Sequence, residues 1–242
     1  MKKISVLLSV YNNQEDIPNA IKSVIDQTYK NWELIIIDDC STDKTLEIIE
    51  DIILQNSQYC IILIKNKKNI GVYSSLNRGL KIATGDYIAR IDSDDTYFPM
   101  FLEKNIEILD NNDKYIMVNS MYKRDMDNPC FGEITCVYRR QTVIDKIGYY
   151  DSVRFAGDTE FDYRFKKVFG NHSIYKINEV LYYAKKRNNS LTTSDKTGII
   201  SAASIRTTYV KNANKWHTTT NKLYMPFPLI KRPFQIHKIM MP

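Results

Sequence analysis

The chain has 242 residues, 43% of them hydrophobic and 26% charged, enough to bury one sizeable core and typical of a soluble globular protein. Cys40, Cys60, Cys130 and Cys136 lack zinc-site spacing, no apolar run approaches the ~20 residues of a membrane helix, and the first apolar run is too short for a secretory core. The net charge of +6 is uneven: eight basic residues and no acid follow position 195, whereas positions 1–195 hold 26 basic and 28 acidic side chains. This pattern predicts free thiols in a reducing cytosol and leaves all the excess positive charge in the tail.

The first half reads as repeated strand–helix units. Short, mostly β-branched runs at 4–10, 33–37, 60–64 and 87–91 predict strands buried on both faces. Ile17, Ala20, Ile21, Val24 and Ile25 mark one helix face between them, and Leu46, Ile49, Ile52 and Ile53 mark another. The alternation predicts an α/β fold with a largely parallel, doubly wound sheet and helices on both faces. Ligands in such sheets bind beyond the carboxyl ends of the strands, where Tyr11, Asp38-Asp39 and Asp92 through Asp95 fall. The second half is less regular. Strands are expected at 115–121, 134–139 and 179–184, and helices at 140–147, 157–169 and 201–210. Gly148 and Gly170 end the first two of these helices, and prolines at 226, 228 and 233 forbid a long element after Trp216.

Asp92-Ser93-Asp94-Asp95 closes an apolar strand with clustered carboxylates. Ionised acids at such a place repel one another and resist burial, which a magnesium or manganese ion would relieve. The same residues, ahead of Tyr97-Phe98-Pro99, also read as a helix cap.

The order of motifs resembles the inverting glycosyltransferases of family 2, with the GT-A nucleotide-sugar fold. The matching residues run from Ser5 to Asn12, Ser23 to Thr28, and Glu33 to Asp43. Asn69-Ile70-Gly71, Asn77-Arg78-Gly79, Gly85 through Asp95, Gly148 through Asp151, and Gly157 through Phe161 follow. The resemblance covers roughly residues 3–195. It implies a nucleotide-sugar domain at 1–195, with the donor half at 1–95, the acceptor half at 96–195, and a basic helical or irregular extension at 196–242.

By resemblance, Ser9, Tyr11, Asp39, Asp92 and Ser93 bind the donor nucleotide, Asp94 holds Mn2+ or Mg2+, and Asp158 is the general base. Tyr11 would pack on the base and Asp39 would accept the imide N–H of uridine. Guanine N1–H or thymine N3–H would suit that acceptor equally, and Asp38-Asp39 also reads as a helix N-cap. Asp158 opens a helix pattern with Arg164 six residues on, so it too reads as either base or cap. Two departures stand out. Cys40 replaces the usual Gly or Asn, and Arg187 stands where many members carry a His, so it would contact the donor diphosphate rather than ligate metal.

The tail interleaves Lys211, Lys215, Lys222, Lys231, Arg232 and Lys238 with Trp216, Tyr224, Phe227 and Phe234. It suits peripheral contact with an anionic membrane, an acidic glycan or a partner protein, or a solvated extension; no nucleic-acid motif accompanies the charge. The resulting expectation is a metal-dependent inverting glycosyltransferase of hexosyl or N-acetylhexosaminyl type. It would move a sugar from a nucleotide-diphosphate donor, UDP-linked by preference, to a glycan, lipid-linked or protein hydroxyl. A nucleotidyltransferase is disfavoured because Ser9 through Gln14 holds neither glycine nor a basic residue. An inactive relative that keeps the fold is the non-enzymatic alternative.

Overall fold

A computed structural model describes residues 1–186 and 203–242. In chain order the first half forms β1 (Ile4–Val10), α1 (Ile17–Ile25), β2 (Trp32–Asp38), α2 (Thr45–Gln55), β3 (Ile61–Lys65), α3 (Val72–Ile82) and β4 (Tyr87–Asp92). These strands are parallel in the order β3-β2-β1-β4. β5 (Thr96–Tyr97), α4 (Phe101–Asn111), β6 (Met117–Lys123), β7 (Cys130–Arg139), α5 (Arg140–Ile147), α6 (Gly157–Phe169), β8 (Ile174–Tyr183) and α7 (Ala203–Thr219) complete the chain's long elements.

Beyond β4 the sheet is mixed, which departs from the largely parallel expectation. The order continues β4-β7-β6-β8-β5, with β7 antiparallel to both β4 and β6, β8 parallel to β6, and β5 antiparallel to β8. The cause is connectivity: β6 and β7 form a hairpin, so they must run in opposite directions. Three other elements exceed their expected lengths by several residues. β7 begins at Cys130 and β8 at Ile174, where alternation in burial is weak, and α7 runs to Thr219 along a buried stripe of Tyr209, Ala213 and His217. An alanine and a histidine at i, i+4 spacing carry little hydrophobic signal.

Alternation along the strands divides the core in two. Val6, Leu8, Val10, Leu34, Ile36 and Ile91 face the cluster that includes residues of α1, α2 and α4. Leu7, Ile35, Ile37 and Ile88 face the other cluster, with α3, α5, α6 and α7. α3 lies close against this second face. A Cβ on Gly79 would sit 2.7 Å from Cδ1 of Ile37. The extension belongs to the same core, to which it contributes Tyr209 and Met240, with Ile205, Val210, Phe234 and Ile236 packed alongside. A solvated, loosely held tail is therefore not what the structure shows.

The opposite end of the sheet is tied by Glu33, whose side chain is 2% exposed. It accepts hydrogen bonds from Lys3 Nζ (2.6 Å), Ser5 Oγ (2.6 Å) and the Thr84 amide (2.7 Å). Burial alone would raise its pKa, but these donors outweigh it and bring the carboxyl down to about 2. A depressed acid contributes stability above its unfolded value and loses it as pH falls through the folded one. Glu33→Gln is expected to cost about 1–3 kcal/mol at pH 7. That difference should shrink between pH 4.5 and about 2, which urea unfolding of both proteins across the range would measure.

Candidate active site

The carboxyl ends of β2, β1 and β4 form one rim. In register, Ser9 lies between Ile37 and Asp92, and Val10 lies beside Asp38. Tyr11, just past β1, keeps 47% of its surface exposed, so its ring is available to a flat ligand. Asn13 Nδ2 donates to Ser93 Oγ at 3.0 Å and joins the loop after β1 to the loop after β4. Cys40 sits at φ 67°, a left-handed position that Gly or Asn occupies at less cost. That conformation accounts for a preference for Gly or Asn at this position, which Cys40 forgoes at some cost in backbone strain.

Asp38 and Asp39 are both buried, and they do different things. Asp38 accepts from the Ser41 amide and so closes the turn after β2. Asp39 Oδ1 accepts from Asn66 Nδ2 (2.6 Å) and the Ile70 amide (2.9 Å), and Oδ2 accepts from the Gly71 amide (2.8 Å). Asn66 in turn donates to Ser75 Oγ and accepts from Arg78. Asp39 thus shapes the loop entering α3 as well as standing at the rim. A carboxylate has about four acceptor positions, so Oδ2 retains one for a ligand N–H.

β4 carries the centre of the site. Its ladder with β7 covers only Tyr87, Ile88 and Ala89, and the two strands then part. Arg90 lies where they part, on the sheet face shared with Ile88 and α6. Its side chain is only 8% exposed, yet it meets two acids. Nε stands 3.4 Å from Asp92 Oδ1, and Nη2 stands 3.7 Å from Asp158 Oδ2. Burial opposes the charge, but Asp92, with Tyr73 and Asp158, outweighs it and holds the guanidinium pKa well above its ordinary value. Sequence reasoning gave Arg90 no role. The available signal was a lone charge inside an otherwise apolar strand.

Asp158 opens α6. Ala156, at φ 62°, turns the chain into the helix, and Asp158 Oδ1 accepts from the Thr159 amide at 2.8 Å. Gly157 lies against Tyr73, where a Cβ would stand 2.7 Å from the ring. Burial, and then the Asp158 charge, push the Tyr73 phenol far up, so it remains a protonated donor beside the acid. Between Arg90 and Asp158 opens a narrow recess of about 20 Å³, lined also by Glu133, Tyr138, Tyr150 and Phe161. The Tyr138 hydroxyl is buried there beside that of Tyr150.

Asp95 is the anchor of the acidic motif. It is 5% exposed and accepts from Tyr182 Oη (2.7 Å) and the Lys185 amide (2.9 Å). Burial, followed by the charges of Asp92 and Asp94, pushes its pKa up to about 8. Asp94 lines a larger recess of about 340 Å³ with Asp16, Ser23, Tyr97 and Lys185. Among the described residues, no three acids, histidines or cysteines converge into a ready-made metal cage. The donor chemistry nonetheless fits magnesium or manganese, which take one or two carboxylates and complete the shell with water and substrate phosphates. Arg187 lies outside the described residues. Ser9, Tyr11, Asp39, Asp92, Ser93 and Asp94 all belong to the strand ends of this rim, and Arg90 joins Asp158 to it.

The Glycosyl transferase family 2 profile matches residues 5–176. EpsE of Bacillus subtilis (strain 168) is 45% identical over 118 residues, which are 49% of this chain and 42% of that protein. The Escherichia coli UDP-Glc:alpha-D-GlcNAc-diphosphoundecaprenol beta-1,3-glucosyltransferase WfaP is 37% identical over 122 residues, 50% of this chain and 47% of that one. The chain thus matches less than half the length of these relatives. Among solved structures, S. aureus TarS 1–349 in complex with UDP superposes with a TM-score of 0.67 at 22% identity, covering 76% of this chain and 60% of that one. The mannosyltransferase PcManGT from Pyrobaculum calidifontis, in complex with GDP-Man and Mn2+, superposes at 0.66 with 15% identity, covering 77% and 58%. The shared architecture is the GT-A fold, and by its motifs, profile and relatives the chain belongs to glycosyl transferase family 2.

Proposed function

We propose that the protein is a metal-dependent inverting glycosyltransferase that takes a nucleotide-diphosphate sugar, preferentially a UDP-sugar. The observation that carries the reading is the Arg90 bridge, which sets Asp158 across a shared cation from the donor-side acid Asp92. Tyr11 offers its exposed ring to the base, and Asp39 fixes the loop against which the base rests. Asp92 and Ser93 face the ribose. A divalent ion on Asp94 would supply charge neutralisation for the departing diphosphate.

Asp158 then performs the proton transfer. Its Oδ1 is occupied by the Thr159 amide, and the carboxylate accepts the proton of the acceptor hydroxyl as that oxygen attacks the anomeric carbon. The bond from that carbon to the diphosphate oxygen breaks on the opposite face, so the configuration inverts and no covalent enzyme intermediate forms. Arg90 holds the base at the rim, and Tyr73 and Gly157 define its approach.

The acceptor we favour is a lipid-linked or glycan hydroxyl, at or near a membrane. The diphosphoundecaprenol in the WfaP name supports this class, as do the exposed Lys211, Lys215, Lys222, Lys231 and Lys238 of the extension. Lysines near anionic lipid contribute about 1 kcal/mol each. Replacing these five by glutamine should abolish co-sedimentation with anionic vesicles and leave folding intact. Unchanged co-sedimentation would remove the membrane part of the reading.

The donor reading is tested by thermal unfolding with UDP, GDP, dTDP or CMP, with and without manganese. One nucleoside diphosphate at ~100 times its dissociation constant should add about 2.7 kcal/mol, or several degrees, only with the metal present. Asp94→Ala should lose that shift. Asp158→Asn should keep it and lose about a hundredfold to ten-thousandfold in transfer rate. Arg90→Met, which leaves both acids without their cation, should reduce transfer as well as nucleotide binding. No shift with any nucleotide would leave the fold as that of an inactive relative.

A further inference from the structure

The segment between α5 and α6 leads into Asp158 and buries Tyr150, Val153, Phe155 and Ala156, and it and the first turn of α6 each carry one fully buried acid. Asp151 and Glu160 each show 0% exposure. A buried carboxylate without a partner is strongly destabilising, so the location of its partners determines what the segment depends on. For Asp151 the side-chain partners come from the extension. Arg232 reaches it at 2.8 Å, and Tyr209 Oη donates to Oδ2 at 3.1 Å. Arg232 Nη2 also donates to the Ser152 carbonyl at 2.9 Å. For Glu160 the partners are divided. Arg164 binds it within α6 at 2.8 and 2.9 Å, and His217 Nε2 of α7 lies 2.9 Å from Oε1.

Backbone contacts repeat the arrangement. The Met225 amide donates to the Ile147 carbonyl at 3.0 Å, and the Tyr149 amide donates to the Met225 carbonyl at 2.8 Å. Gly148 permits this approach, since a Cβ there would stand 2.2 Å from the Met225 oxygen. The Arg154 amide donates to the Met240 carbonyl, and Arg154 Nε donates to that of Met241. Arg206 lies over the Phe155 ring, its guanidinium carbon 4.7 Å from the centroid, and is close enough to feel the Asp158 charge. The extension therefore grips residues 147–160 at points on both sides of the αL turn that leads to Asp158.

We propose that residues 203–242 are a positioning clasp for the catalytic base: Arg232 and His217 partner Asp151 and Glu160, and so fix the first turn of α6, with Asp158, against the sheet. The identity of Asp158 as the base rests on the function proposed above; the clasp itself does not.

The test uses the full chain with Arg232→Gln, His217→Gln, and Arg232→Lys as the conservative control. Hydrogen exchange in peptides spanning 148–160 should quicken about tenfold in the glutamine variants, while peptides from β1 to β4 stay unchanged. The manganese-dependent nucleotide shift should persist. Transfer should lose about tenfold in kcat with donor KM within about threefold, and Arg232→Lys should restore most of it. If a glutamine variant fails to fold, Tyr209→Phe removes one hydroxyl from the same node and should quicken exchange there by about threefold. Exchange in 148–160 equal to wild type, or quickened uniformly along the chain, would overturn the clasp. A wild-type protein without nucleotide shift or transfer would instead remove the proposed function, with the exchange comparison still deciding the clasp.

Discussion

A guanidinium inside a protein must be paid for with negative charge, and here that requirement organises the site. Arg90 is buried at the point where β4 parts from β7, and its partners are Asp92 on its own strand and Asp158 on α6. Two carboxylates needed on one rim would otherwise repel each other; a shared cation makes their proximity favourable. Gly157 then becomes necessary, because α6 must come within contact of the Tyr73 ring to bring Asp158 that close. Gly79 performs the matching service for α3, which carries Tyr73. The strand ends supply Asp92 and its neighbours on the rim, while Asp158 arrives on a helix from the second half of the chain.

Much of this was legible in the residues. The parallel strands of the first half, and α5 and α6, fall where apolar periodicity and terminal glycines place them. The mixed half of the sheet was not legible, because strand direction there follows from the β6–β7 hairpin and not from any pattern within a strand. The length of α7 was hidden for a different reason. Its buried face uses Tyr209, Ala213 and His217, and a buried histidine looks polar until its partner Glu160 is known. Arg90 escaped notice similarly. Its motif was visible, but a charge on a buried strand acquires meaning only when the acids that meet it are located.

The two aspartates after β2 show how far sequence adjacency can mislead about role. Asp38 closes its own turn, whereas Asp39 reaches across to the loop before α3 and orders two amides and Asn66. The acid that resembles a base reader is thus also a structural tie. Such double use is economical in a rim of crowded carboxylates: the amides that hold Asp39 also fix the direction of its remaining acceptor position.

The extension divides its polar side chains by direction. Arg232 and His217 point inward to acids of the 147–160 segment, and Lys211, Lys215, Lys222, Lys231 and Lys238 remain at the surface. A tail that served only as an electrostatic patch would need no inward partners, and one that served only as a strut would need no outward lysines. Its position explains why both occur together. The family profile ends at residue 176, after α6 but before α7, so the shared pattern includes Asp158 and omits part of what holds its helix. On the function proposed above, an extension that steadies Asp158 from one side and presents cations on the other would couple the acceptor environment to the transfer chemistry.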